Sequence, residues 1–368
     1  KLPSSVSVGD RLDFRVDLSP LNTNSNYDEV DFKIHDVEIF QLGFSDASSR
    51  DLTFGNVVSE GVNISGASLS SSQSSLDQVT LSNGDIAADS SFFNSILISE
   101  GDISLSECEV SNSENPRRGI EVFGDSANIN IFGSDIHHNW GGGLYVNDSH
   151  SNSVISHSFI RDNSGDGMYF GQNFHTIQLK NSLIDGNSSS AYVNYGHSDS
   201  EIDYCTITNN GSGIYHSNGF HTFNNSIIWF NGTNQQIYGG LTASSYSNIQ
   251  GINSILTDPD FAWGDGGIGS DPLLSDDMGN LDSNSPCVDG GMPWEEDAHI
   301  PVGQGSSRAD MGLYGGPDNA YWGGSPPPDG SVIVTEIFDI PADQGYQLGI
   351  LFDASPFDFG GLGFNIDY

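Results

Sequence analysis

Along the middle of the chain, small, apolar and polar residues recur in one fixed order. Aligning on a single six-residue pattern gives CEVSNS at 108–113, SDIHHN at 134–139, SFIRDN at 158–163, SLIDGN at 182–187, CTITNN at 205–210 and SIIWFN at 226–231, with spacings of 26, 24, 24, 23 and 21. Each copy starts with a small residue and carries an apolar one two places later: Val110, Ile136, Ile160, Ile184, Ile207 and Ile228. A second run keeps the same period: GIEV at 119–122, GLYV at 143–146, GMYF at 167–170, SAYV at 190–193, GIYH at 213–216 and QIYG at 236–239. A third apolar column, Leu105, Ile131, Ile155, Leu179, Ile202 and Phe223, lies three residues before each turn motif. Alternation within each short run is the signature of a strand. A strand this short cannot bury its apolar face alone and must stack on the next copy. The pattern therefore predicts an all-β solenoid with parallel sheets, its rungs about 4.8 Å apart.

Stacking brings Asn139, Asn163, Asn187, Asn210 and Asn231 one above another, where their amides can bond along the stack and satisfy turn backbone. In the second run the alternation sends Leu144, Met168, Ala191 and Ile214 inward and Tyr145, Tyr169, Tyr192, Tyr215 and Tyr238 outward, with Glu121 at the head of the column. Five stacked tyrosines form an amphipathic strip suited to a sugar ring or a protein partner. The alternative is a self-supporting aromatic ladder.

The runs NNGSGIYHS at 209–217 and DNSGDGMYF at 162–170 resemble those of right-handed parallel β-helix repeat proteins, the group that includes the pectate-lyase-like proteins. The resemblance spans roughly residues 50–250 and implies the fold: a right-handed parallel β-helix with an N-terminal β cap and an irregular C-terminal cap. Functions on that coil range from lyases and hydrolases to adhesins, so it does not imply an activity. SPCVDGG at 285–291 and RADMGLYGG at 308–316 resemble the closing segment of bacterial secreted and cell-surface β-helix proteins. The expected layout is a cap or the end of a preceding module at 1–50 and the β-helix at 51–250, with two or three less regular rungs before residue 107. A cap at 251–322, a Pro/Gly linker at 323–330 and a terminal β segment at 331–368 follow. That last segment reads as the opening of a β-sandwich or a strand-addition piece.

Charge narrows the partners. Ten Lys and Arg against 49 Asp and Glu leave a net charge of −39, which repels nucleic acid and anionic membranes. No run of about 18 apolar residues is present, so no membrane insertion is expected. Lys1 follows no Met or signal segment, as in a mature or partial chain. Cys108, Cys205 and Cys287 are an odd number that fits neither a disulfide framework nor a CxxC metal site, and they read as buried thiols; the first two share the small column four rungs apart, beyond disulfide reach.

Candidate chemistry lies in three places. The outward column His137, Arg161, Asp185, Thr208, Trp229 could hold an acid–base group or a plain salt-bridge ladder. Lys180 is the one Lys of the regular rungs and sits beside Glu201 and Asp203, which disfavours a uronate unless calcium intervenes; a hydrolase would use paired carboxylates among Asp185, Glu201 and Asp203. Eight of ten histidines fall between His137 and His221 and are expected in solvent or turns, the adjacent His137 and His138 pointing to opposite faces. Asp258, Asp260 and Asp265, with Asp271 and Asp276/Asp277 beyond, offer oxygen ligands for Ca2+, although no cofactor is required. Together these features lead to the expectation of a non-enzymatic extracellular structural or adhesive protein on a bacterial cell surface, able to assemble into a filament or layer. Its partners would be copies of itself, surface proteins or polysaccharide. The alternative is a polysaccharide lyase or glycoside hydrolase of the pectate-lyase-like group.

Overall fold

The computed structural model describes residues 52–148, 150–171, 174–232, 236–251, 261–300 and 305–322, with the strands Phe32–His35, Glu38–Ile39, Leu42–Ser45, Val334–Asp339 and Leu348–Phe352. One sheet of twelve parallel strands runs the length of the coil, from Phe32–His35 through Ala127–Phe132 to Phe261–Trp263, and forms the first face. The second face carries the turn-motif strands, such as Asp135–His137 and Phe159–Arg161, and the third carries strands such as Gly142–Asp148 and Asp166–Phe170. Two of the apolar columns stack in the predicted register, Ile131 on Ile155 on Leu179 and Ile136 on Ile160 on Ile184, and the third does so except that Tyr192 takes the place expected for Ala191. Their side chains are buried in one continuous core.

The rungs before residue 107 are the more regular ones, contrary to expectation. Leu52, Leu69, Ile86 and Ile103 are register partners at a constant spacing of 17. Ser75–Ser82 and Phe92–Ser99 there run unbroken across the second and third faces. From Glu109 onward a turn ending in the ladder asparagine separates those faces, which lengthens the repeat to 21–26 residues. The strands at Phe32–His35, Glu38–Ile39 and Leu42–Ser45 pair in parallel with Leu52–Gly55, Val58–Ser59 and Val62–Ser65, so they form a rung of the coil, where a cap was expected. At the other end Phe261–Trp263 pairs with Thr242–Ser244, carrying the coil past residue 250.

The small residue that opens each motif has a definite job. It follows a residue in the left-handed region: Gly133, His157, Asn181, Tyr204 and Asn225 have φ between 41° and 59°. At that sharp corner the serine hydroxyl accepts the backbone N–H one rung earlier, as from Cys108 to Ser134 Oγ (3.1 Å), Ser134 to Ser158 Oγ (3.2 Å) and Ser158 to Ser182 Oγ (3.2 Å). The same hydroxyl donates to the carbonyl two residues before it. Cys108 and Cys205 stand in for serine, each thiol donating to the corresponding carbonyl, and both are unbonded and buried.

The asparagine ladder forms as predicted. Asn139, Asn163 and Asn187 each donate Nδ2 to the Oδ1 of the next rung's asparagine at 2.8–3.0 Å, and Asn210 continues to Asn231 at 2.8 Å. Each amide also donates to a backbone carbonyl of the second face, such as Asn187 to Ile160 O at 2.9 Å. Gln236 closes one end and the Ser113 N–H the other.

Beyond the last rung the chain does not simply plug the end. It turns back along the outside of the coil, packing Leu281, Cys287 and Met311 on Ile227 and Trp229. Asn181 Nδ2 donates to the carbonyls of Leu313 and Gly315, Leu313 N–H donates to Thr206 Oγ1, and Tyr321 reaches Phe132 with ring centroids 5.0 Å apart. This strap covers the upper part of the second face. Val334–Asp339 and Leu348–Phe352 form an antiparallel pair; the linker at 323–330 and the rest of the terminal segment lie outside the described residues.

Candidate functional site

The tyrosine column forms, with one correction. Glu121 pairs in register with Tyr145, Tyr145 with Tyr169, and Tyr215 with Tyr238. Tyr192, expected outside, is instead the register partner of Met168 and Ile214 and is fully buried. The strand is shifted by one residue from the predicted alignment, which moves every side chain to the other face. Val193 takes the outward place, and a register irregularity between Asn194 and His197 lets Tyr195 lay its ring over the gap. The exposed ladder is thus Tyr145, Tyr169, Tyr195, Tyr215, with successive centroid separations of 4.9, 5.8 and 5.0 Å. Tyr195 and Tyr215 are 42% and 38% exposed. Burial against its neighbours, ahead of the adjacent phenols, pushes the Tyr169 hydroxyl above its ordinary range. Arg118 caps one end, its guanidinium 3.9 Å from the Tyr145 ring centre and its NH1 3.4 Å from Glu121. An apolar wall edged with hydroxyls and ended by one cation–π contact is what this geometry offers.

His137, Arg161 and Asp185 share a column as predicted but do not converge. Arg161 is held by Asp135 (2.7 and 3.1 Å) and Asp162 (3.2 Å). Asp185, expected on a solvated face, is only 7% exposed, as are Thr208 and Trp229 to a similar degree (1% and 8%), because the strap lies across the upper second face. Its carboxylate accepts from Asn209 Nδ2 at 2.8 Å, and burial pushes it up to about 6. Asp203, beside Lys180, accepts from Asn225 and is likewise raised to about 6 by burial.

The histidines divide in a way the sequence did not reveal. His175, His216 and His221 are buried inside the coil at the junction of the third and first faces. His175 pairs with Ser151 Oγ (2.6 Å), His221 with Ser200 Oγ (2.7 Å) and His216 with Thr242 Oγ1 (2.9 Å), and the last two rings stack at 3.9 Å. Burial holds His216 down to about 3 and His175 to about 4, so both are neutral partners of hydroxyls. His137 and His138, expected on opposite faces, turn toward each other, because the strand stops at His137 and His138 has φ of 53°.

Of the calcium candidates, Asp258 and Asp260 lie outside the described residues. Asp265 is exposed, with its backbone carbonyl accepting from the Tyr246 N–H. Asp271 and Asp276 spend carboxylate oxygens on the turn N–H groups of Leu273, Met278 and Asn280. Among the described residues no group of three or more His, Cys, Asp or Glu side chains is arranged to hold a metal ion.

Residues 42–203 match the family model described as a right handed beta helix region, and the coil is a right-handed parallel β-helix. A crystal structure of pectate lyase Pel9A is similar at 14% identity with a TM-score of 0.44, the comparison covering 77% of this chain and 86% of that one. No curated protein matches.

Proposed function

We propose that the chain is a non-enzymatic extracellular protein, structural or adhesive, whose β-helix is a rigid spacer and whose contact surface is the tyrosine ladder. The observation that carries this reading is the ladder itself: four rings in successive contact along one wall of the coil, two of them more than a third exposed. Rings already held by their neighbours lose little rotamer freedom on binding, which suits a contact surface. The second face supports the enzymatic alternative poorly. Its one arginine is committed to Asp135 and Asp162, and Asp185 lies under the strap with its charge opposed by burial.

The test is a triple variant, Tyr145→Ala, Tyr195→Ala and Tyr215→Ala, compared with the native chain for self-association by sedimentation and for retention on acidic and neutral polysaccharides. Three rings at about 1 kcal/mol each amount to roughly a hundredfold in affinity. Equal retention and equal self-association in both proteins sink the contact surface. Polysaccharide turnover that disappears in Arg161→Ala or Asp185→Ala establishes the alternative instead.

A further inference from the structure

We propose that His137 and His138 form a surface chelate for a late first-row divalent metal ion, Cu2+ foremost, on the second face and away from the tyrosine ladder. The two Nδ1 atoms face each other at 2.6 Å, with the rings nearly perpendicular at 85° and their centroids 4.9 Å apart. At that distance one nitrogen donates to the other, and a metal ion would replace that proton from beside the N–N line, about 2.0–2.1 Å from each nitrogen.

The surroundings of His137 select which nitrogen offers its lone pair. Its Nε2 lies 3.1 Å from Glu109 Oε1, on the strand one rung earlier, and 3.9 Å from Asp135 Oδ2. Arg161 occupies Asp135 with two hydrogen bonds, which leaves Glu109 as the acceptor for the His137 Nε2–H. A proton fixed on Nε2 leaves Nδ1 unprotonated and aimed at His138. A carboxylate behind a histidine whose other nitrogen faces outward is the second-shell arrangement that orients imidazole ligands and raises their basicity.

His138 occupies a turn position held elsewhere by Asn112, Asp162, Gly186, Asn209 and Phe230, all with positive φ. Asn, Asp and Gly tolerate that conformation best. His138 brings to it a ring that the left-handed backbone swings beside His137. Because His138 is exposed, water can complete the coordination. Two imidazole nitrogens suit Cu2+, Ni2+ and Zn2+ and do not suit Ca2+, which takes oxygen ligands. With no third protein ligand the ion is exchangeable, not structural.

The experiment uses the untagged chain of residues 1–368 titrated calorimetrically with Cu2+, Ni2+, Zn2+ and Ca2+. One saturable site is expected, tightest for Cu2+ in keeping with the Irving–Williams order, and no response to Ca2+. Electron paramagnetic resonance of the Cu2+ complex should show two nitrogen donors. His138→Asn, which keeps a residue suited to the turn, should lose at least tenfold in affinity, and Glu109→Gln about 10–100-fold. His150→Ala should bind as the native chain does. Absence of saturable Cu2+ binding, or full affinity in His138→Asn with an unchanged melting curve, overturns the proposal and leaves the pair as an imidazole–imidazole hydrogen bond.

Discussion

Replacing Asn187 with Ala tests the asparagine ladder where it is most enclosed. Asn187 is fully buried and makes four side-chain hydrogen bonds. It donates to Asn210 Oδ1 (2.8 Å) and Ile160 O (2.9 Å), and it accepts from Asn163 N–H (3.2 Å) and Asn163 Nδ2 (2.8 Å). Asn210 Oδ1 keeps a partner after the substitution, because the Asn187 backbone N–H still donates to it at 3.0 Å. The Ile160 carbonyl, the Asn163 N–H and one Asn163 Nδ2 hydrogen each lose a partner. At about 1–3 kcal/mol for each buried group left unpaired, the loss is roughly 3–6 kcal/mol once some relaxation is allowed. That is a large share of the roughly 5–15 kcal/mol that holds a typical domain together. The assay is guanidinium unfolding followed by circular dichroism, with amide exchange at Asn163 as a local readout. Asn152→Ala, at an exposed position of the first face, is the control and should stay within about 0.5 kcal/mol of native. A cost below about 1 kcal/mol for Asn187→Ala, with Asn163 exchange unchanged, would refute the view that the ladder satisfies backbone groups nothing else can reach.

Two further predictions separate the inside of the coil from its outside and one region from another. Tyr192→Ala should cost about 3–5 kcal/mol, as expected for a large ring removed from a core, while Tyr195→Ala should cost about 1 kcal/mol or less in thermal melts; equal costs would restore the original alignment. Acid should act with opposite signs through the buried histidines of the coil and through the carboxylates of the strap. The unfolded chain takes up protons on His175 and His216 below their ordinary value of about 6.5 while the folded chain does not, so stability at those rungs falls with pH from about 6.5 to 4, by about 1.4 kcal/mol per pH unit per group. In the strap, Asp297 is raised to about 8 and Asp310 to about 7, chiefly by burial. The folded strap therefore keeps protons that the unfolded chain gives up above about 3.8, and its docking weakens as pH rises from there toward 7–8. Hydrogen exchange at two pH values should show the rungs around His216 opening more readily in acid and the strap around Asp310 less readily; movement of both in one direction would overturn the assignment.

Part of the ladder geometry was already written in the spacing. Counting four residues from Asn139 to Gly143 and from Asn163 to Gly167 leads, from Asn187, to Ala191 and not Ser190, which places Tyr192 inside. The likeness of SAYV to GLYV outweighed that count, since a tyrosine in the third place looks the same in either register. The regular rungs of 17 residues are less conspicuous in the sequence for a related reason. They lack the asparagine turn that anchored the alignment, although Val62, Val79 and Ile96 carry the period plainly.

The sequence by itself determined the coil: its apolar columns, its asparagine ladder and the strand faces follow from periodicity, because a rung can bury its apolar side only against an identical neighbour. What only the tertiary structure decided is which outward positions stay outward. The strap's path along the second face covers Asp185, Thr208 and Trp229 through contacts more than 50 residues apart in the chain, and no local pattern encodes them. The left-handed turn that swings His138 toward His137 and the irregularity that brings Tyr195 into the exposed ladder are likewise backbone events. They follow from how each rung meets the next, and so they appear only once the rungs are stacked.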